Sequence, residues 1–327
     1  MAYFLHPHRE NVYVDEVTRE LTTMPATTAI AHVIMNRNSG AGDKTALRQE
    51  IATAFSSHGW EVEFILVGRR NLYRQIRQVI TEGPGALVVA GGDGTINAVA
   101  AACLEAKRPL GIMPAGTFNY VARNLRLPTV VSQAVSVIVD GRIRHVDVGE
   151  MNGRIFLNNA GFGLYGTMVA QREHDKRRFG RHRIVAFLSG LRCLLSVHPL
   201  YTVELTADGA TRRCRTTTLF FGCNPLQLEH FNIAAAECLR QQKLAVLSLQ
   251  LRNRWEIAKT LGAGLIGRLE QMDTTEAFCA STVRVHLRRQ RALRVVMDGE
   301  VIFLRPPLDV TLRPGALQVF APVTEHG

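Results

Sequence analysis

The sequence predicts an α/β half built on a parallel sheet, followed by a second half that is mostly antiparallel β. Three observations carry this expectation. Up to about residue 125, short apolar runs alternate with stretches of helical periodicity. Beyond about Gly149, short β-rich runs recur, several of them separated by turn pairs such as Asp208-Gly209 and Asp298-Gly299. The composition, 46% hydrophobic and 20% charged over 327 residues, is that of a folded chain long enough for two cores.

Residues 1–28 show no clear periodicity, contain Pro7 and Pro25, and are expected to form a tail. The run at 30–35 reads as a strand that ends in a glycine-containing corner at 36–42. Residues 44–57 carry Leu47, Ile51 and Phe55 at helical spacing. A strand at 62–67 and a helix at 71–80 follow, the latter with Leu72, Ile76, Val79 and Ile80 on one face. The breaker Gly83-Pro84-Gly85 precedes a strand at 86–90. A helix at 95–104, a strand at 110–113 and a helix at 119–125 complete the first half. The second half offers β runs at 154–159, 201–206, 215–223, 244–251, 282–287, 292–297, 300–304 and 308–312, with helical stretches at 165–196 and 254–268. The expected division is a domain at 29–147, to which the segment 313–327 is able to return, and a second domain at 148–312.

The charge needs a partner. There are 39 Lys and Arg against 28 Asp and Glu, a net +11, which fits nucleic acid, a membrane surface or a phosphorylated ligand. Basic residues concentrate at 172–183 and at Arg284, Arg288, Arg289, Arg291 and Arg294. No helix-turn-helix, zinc finger or aromatic platform supports nucleic acid, and only 7% of residues are aromatic. No run of 18 apolar residues suggests a spanning helix, and no secretory signal is visible. The six cysteines show no zinc or redox spacing and read as reduced, packed thiols.

The chemistry concentrates at three strand-end corners. Gly91-Gly92-Asp93-Gly94-Thr95-Ile96-Asn97 follows a β-branched strand and opens a helix. Glycines admit close approach of a ligand to the backbone, and the amides at the helix start favour phosphate. Thr95 is suited to capping the helix or to bonding a phosphate oxygen. The missing Lys excludes a Walker A loop. The pattern Gly161, Gly163, Gly166 has Arg181 where a dinucleotide site needs an acid. Asp93 beside polyphosphate calls for a metal ion or a proton; the alternative is that it merely caps a helix. The corners at 36–42 and 114–119 repeat the arrangement, and three such corners along one carboxyl edge form a crevice.

Read in order, these corners resemble the catalytic domain of the diacylglycerol kinase and sphingosine kinase superfamily. Asn36, Arg37, Asn38, Ser39 and Gly40 look like its first nucleotide element. Gly91–Asn97 look like its central G-G-D-G-T-x-N signature. Gly116, Thr117 and Asn119, within Gly-Thr-Phe-Asn-Tyr-Val-Ala, look like its third element. The segment at 146–149 and that at 157–163 resemble the crossing into its second domain, and Asp298-Gly299-Glu300 looks like its late turn. The resemblance implies a Rossmann-like N-terminal domain with a parallel sheet, a C-terminal antiparallel β-sandwich, and an active site in the cleft between them. It implies ATP and Mg²⁺ and transfer of the γ-phosphate to a lipid hydroxyl. Asn36, Arg37, Asn38, Ser39, Gly40, Gly91, Gly92, Asp93, Gly94, Thr95, Ile96, Asn97, Gly116, Thr117 and Asn119 would hold the nucleotide. Glu300 or Asp93 would be the base, Asp298 would assist, and Asp93 would also meet the catalytic metal.

Three departures stand out. Arg37 replaces a Pro, and Tyr120 replaces an Asp. The acidic stretch that holds a structural Mg²⁺ in many members is matched by Leu239–Ala245, where Arg240, Gln241 and Ala245 stand in for the acids, so that metal site is expected to be lost. The leading expectation is therefore a lipid kinase, with diacylglycerol first among the acceptors. It would be cytoplasmic and peripheral at the inner membrane surface, held by anionic lipid. The alternatives are a degenerate nucleotide- or lipid-binding protein and a kinase of a soluble metabolite. Edge strands in the second domain also admit a homodimer.

Overall fold

The computed structural model describes residues 30–37, 44–68, 74–78, 85–116, 119–164, 166–167, 200–230, 236–250, 256, 259, 275–287 and 290–322. The tail at 1–28, nearly all of the helical stretches expected at 165–196 and 254–268, and half of the helix expected at 71–80 lie outside them.

The first half alternates as the periodicity requires: β1 (Ile30–Asn36), α1 (Lys44–Ser56), β2 (Glu61–Val67), β3 (Ala86–Gly91), α2 (Asp93–Ala106), β4 (Leu110–Pro114), α3 (Tyr120–Asn124) and α4 (Val131–Val139). The four strands run parallel in the order β2-β1-β3-β4. β3 is buried at every position, which is why it reads as an unbroken apolar run. One face of the sheet packs Ile34, Leu87, Val89 and Ile112 against Ile96, Val99 and Cys103 of α2. The other packs Val33, Val88 and Met113 against Phe55 of α1 and Val135 and Ile138 of α4.

The second half contains β5 (Ile143–Met151), β6 (Arg154–Phe156), β7 (Asn159–Gly163), β8 (Tyr201–Ala207), β9 (Ala210–Thr216), β10 (Thr218–Gly222), α5 (Pro225–His230), α6 (Ala236–Arg240), β11 (Leu244–Leu249), β12 (Thr275–Ala280), β13 (Thr282–Leu287), β14 (Leu293–Met297), β15 (Glu300–Leu304) and β16 (Leu308–Phe320). An antiparallel sheet, β12-β11-β10-β7-β14-β15, faces β13, β8 and the start of β16. Phe162, Phe221, Val246 and Val295 interdigitate there with Val203, Val285, Leu308 and Val310, forming a sandwich core.

β16 belongs to both halves. Its first residues pair with β13, and it lies antiparallel along β5. Its end, at Val319, meets Leu110 of β4 in parallel. One sheet thus runs from β2 in the first half to β9 in the second.

The structure corrects several sequence expectations. The run at 154–159 breaks into β6 and β7, because the amides of Leu157 and Asn158 turn to the Asp298 carboxylate instead of a neighbouring strand. β9 was hidden by its three arginines, which line a sheet edge. The cysteines are not all reduced: Cys238 of α6 is bonded to Cys279 of β12. The pair spans the place where the resemblance put a structural metal. Ala245, opposite Cys279 in the ladder, is buried among Phe220, Leu228 and Leu247. Arg240 pairs with Glu237, and Gln241 is exposed. That donor set does not fit a hard cation, which needs several oxygen ligands.

Candidate active site

The parallel sheet brings its corners to one edge. β3 ends at Gly91 and β4 at Pro114, and the two corners touch at their glycines. A Cβ on Gly116 would stand 2.5 Å from the Gly92 Cα. Asn119, at φ 49°, closes the second corner by accepting from the Gly116 amide at 2.9 Å and donating to its carbonyl at 3.1 Å. The first corner begins beside them at Asn36 and Arg37. Lys44, at the head of α1, donates to the Asn36 carbonyl at 3.1 Å and to that of Arg37. Asn38, Ser39, Gly40 and Thr117 lie outside the described residues.

The glycine corner is used differently from the expectation. Thr95 does not cap α2; it is buried, its Cβ lodged in the space that Gly91 leaves open. The amides of Thr95 and Ile96 are spent on the Gly92 carbonyl, so any phosphate donors of this corner lie upstream, at Gly92–Gly94. Ile96 is wholly buried in the core. Asp93 does serve a helix terminus, but that of α3 rather than its own: its Oδ1 accepts from the Val121 amide at 3.4 Å. Burial pushes the Asp93 carboxyl above its ordinary pKa, against the amides of residues 119–121, which pull it down.

The late turn comes from the opposite wall. Asp298 at φ 46° and Gly299 at φ 83° form a two-residue hairpin between β14 and β15. The Asp298 carboxylate accepts from the amides of Leu157 (2.7 Å), Asn158 (2.8 Å) and Asn159 (3.0 Å) and from Asn97 Nδ2 (2.6 Å). Burial raises its pKa, while these donors oppose the shift. Four donors and no acceptor suit a carboxylate that anchors the turn, not one free to take a substrate proton. Asn97 also donates to the Ile155 carbonyl at 3.3 Å, so its amide joins the two halves of the chain instead of facing phosphate. A second link runs from Asn224, which donates to Asn158 Oδ1 at 2.8 Å and to the Tyr120 carbonyl at 3.5 Å.

With the turn anchored, Glu300 reaches the glycine corner. Its Oε1 lies 3.6 Å from where a Cβ of Gly94 would stand. Both residues line a cleft of about 540 Å³ that follows α2 between the two halves. Farther along the cleft, Arg77 pairs with Glu105 at 2.6 Å and Arg313 with Glu150 at 2.9 Å. Asp147 of β5, which the sequence does not single out as a site residue, lies at the crossing between the halves. It is partly buried, accepts from the Gly315 amide at 2.7 Å, and has its pKa raised by burial. Only its place between two β-branched residues, at the crossing into the second half, could have drawn attention to it.

The diacylglycerol kinase catalytic domain profile matches residues 30–151, the segment that holds all three corners. Over this segment the chain is similar to diacylglycerol kinase catalytic domains. It is 35% identical over 136 residues to a diacylglycerol kinase of Staphylococcus carnosus, a match covering 41% of this chain and 44% of that protein. It is 29% identical over 286 residues to a protein of Pseudomonas savastanoi named "Probable lipid kinase YegS-like", covering 85% of this chain and 91% of the relative. A crystal structure of a diacylglycerol kinase from Bacillus anthracis superposes with a TM-score of 0.67 at 19% identity, over 91% of this chain and 99% of that one. The α/β architecture is therefore that of diacylglycerol kinase-like structures.

The basic clusters can be placed in part. The segment 172–183 and Arg288 and Arg289 lie outside the described residues. Arg284 is on β13, paired with Asp309 at 3.1 Å, in a different sheet from Arg294 of β14. What the sequence shows as one cluster is therefore divided between two sheets.

Proposed function

We propose that this protein transfers the γ-phosphate of ATP to the hydroxyl of a membrane lipid, with diacylglycerol as acceptor and phosphatidate as product. The observation that carries this reading is the Glu300 carboxylate, held against Gly94 at the mouth of the cleft. A proton acceptor belongs there, next to the phosphate corner and on the opposite wall. Glu300 takes the proton of the attacking hydroxyl. Asp298 and Asn97 hold the turn that aims it, and the paired corners of Gly92 and Gly116 cradle the polyphosphate.

Asp93 offers a hard oxygen ligand beside those corners. One carboxylate completed by phosphate oxygens and water is a donor set that fits Mg²⁺. When bound, the ion supplies charge screening for the phosphoryl group. The protein is further read as peripheral at the inner membrane surface, where its substrate resides.

The test is transfer of labelled phosphate from ATP to diacylglycerol, ceramide, a sphingoid base, phosphatidylglycerol and soluble alcohols. Wild type is expected to label diacylglycerol most efficiently. Labelling of a soluble alcohol alone would replace the lipid reading, and nucleotide binding without transfer to any acceptor would make the protein a binder and not a kinase.

A further inference from the structure

β15 has two unlike faces. By strand alternation, Glu300, Ile302 and Leu304 turn toward the cleft and the sandwich core, and Val301, Phe303 and Arg305 turn outward. Val301 is 37% exposed and Phe303 67%, the most exposed large apolar residue among those described. Phe303 lies opposite Arg294 in the ladder, with the guanidinium carbon 5.8 Å from the ring centre. Arg291 and Arg305 are exposed near the far end of the same two strands. Leu200, 39% exposed, precedes Tyr201, whose phenol feels the charge of Arg294. The one acid on these two strands, Glu300, belongs to the opposite face.

From this arrangement we propose that the outer face of the β14–β15 edge docks on an anionic phospholipid bilayer. Phe303 and Val301 enter the interface, and Arg294, Arg291 and Arg305 meet lipid phosphates. An exposed aromatic ring beside Arg294, on two strands that carry exposed arginines and no acid on their outer face, matches an interface that is apolar below and negative above. The docking role rests on the lipid-kinase reading and adds a geometry to it: the proton acceptor and the membrane contact sit on opposite faces of one strand, so docking sets the distance between bilayer and cleft.

The experiment is vesicle flotation of the full chain with phosphatidylcholine alone and with added phosphatidylglycerol. V301S/F303S is expected to reduce binding to anionic vesicles by about tenfold or more, the loss of one buried aromatic contact. R294A is expected to weaken binding chiefly on the anionic vesicles. Transfer to a water-soluble short-chain diacylglycerol should stay within about twofold of wild type for V301S/F303S, since neither side chain faces the cleft. As a readout independent of lost binding, the added fluorescence of F303W should be quenched by brominated lipid.

Unaltered flotation of V301S/F303S, or an unquenched Trp at 303, overturns the proposal. So does a solution dimer that V301S/F303S splits while vesicle binding is unchanged, because a second copy would then be the occupant. If no acceptor is phosphorylated and flotation still behaves as stated, the docking face stands and the kinase reading falls.

Discussion

Asn97 and Asp298 stand 201 positions apart in sequence and 2.6 Å apart in space, one on the helix that starts at the glycine corner and the other in the hairpin that carries Glu300. Both residues line the cleft, and the contact ties its two walls together. A hydrogen bond to a carboxylate contributes about 2 kcal/mol. N97A and D298A are each expected to destabilise the chain. Their double-mutant cycle should give a coupling of about 1.5 kcal/mol or more in urea unfolding. D298N, which turns an NH₂ toward N–H donors, should be no milder than D298A. A coupling near zero would show that the two residues act separately.

Glu300→Gln should keep the fold and the nucleotide affinity and lose the chemistry. A positioned proton acceptor contributes about a hundredfold or more to rate. The expected result is a fall of that size in kcat with ADP binding within about twofold of wild type. Asp93→Asn should behave differently, weakening the response of nucleotide binding to Mg²⁺. If E300Q retains full turnover, the acceptor is elsewhere.

The two glycine corners leave no room for a methyl group. Gly116→Ala would put its Cβ 2.5 Å from Gly92 and 2.7 Å from Asn119 Oδ1. The corners must then separate, and ADP affinity should drop by about tenfold or more. Gly68→Ala is the control, with nothing within 4 Å of its added carbon. Calorimetry of both variants distinguishes a defect local to the site from a general glycine effect.

Asp147 gives a pH dependence with a definite sign. Burial raises its folded pKa above the ordinary value, so the folded chain holds this proton more tightly than the unfolded one. The stability it confers is present at low pH and is lost as pH rises from the ordinary carboxylate range through the raised folded value. Asp147→Asn keeps an oxygen for the Gly315 amide and removes the titration. The stability of D147N relative to wild type should therefore rise with pH across that window and then level off. Urea midpoints taken from pH 4 to 7 would show it, and a difference that falls with pH contradicts the assignment.

The Cys238–Cys279 bond closes a loop with a sequence separation of 41. The chain-entropy relation gives about 4 kcal/mol for such a loop. Reductant should lower the unfolding free energy of wild type by up to this amount and leave C279S unaffected. Equal responses of the two would mean that the crosslink carries no stability.

The alternation of strands and helices up to Asn124 was legible because a parallel sheet covered on both faces leaves strong apolar runs and helical stripes. The corners were legible because their glycines stand where the backbones approach closely, most tightly at Gly116, where an added Cβ would lie 2.5 Å from Gly92. The partners of the polar side chains were not. Nothing local to Asn97 says that it reaches Asp298, and nothing local to Asp93 says that it serves α3 rather than α2. Such pairings belong to tertiary structure, and they break local patterns when they form, as at Leu157 and Asn158, whose amides leave the strand for a carboxylate from the other half. Thr95 shows the converse: its position suited a cap, yet packing against Gly91 buried it. The disulfide escaped notice because spacing along the chain does not reveal that α6 lies over β12.

β16 makes the two halves mechanically continuous. Hinged enzymes usually join their lobes by flexible connectors, whereas here a rigid beam passes from one lobe into the other and is hydrogen-bonded in both. Its one irregularity is the register break between Arg313 and Leu317, where Gly315 takes φ 57° and its amide is tied to Asp147. The Asp147 carboxylate pins this kink, so the one place where the beam changes register is also the place where a side chain holds it.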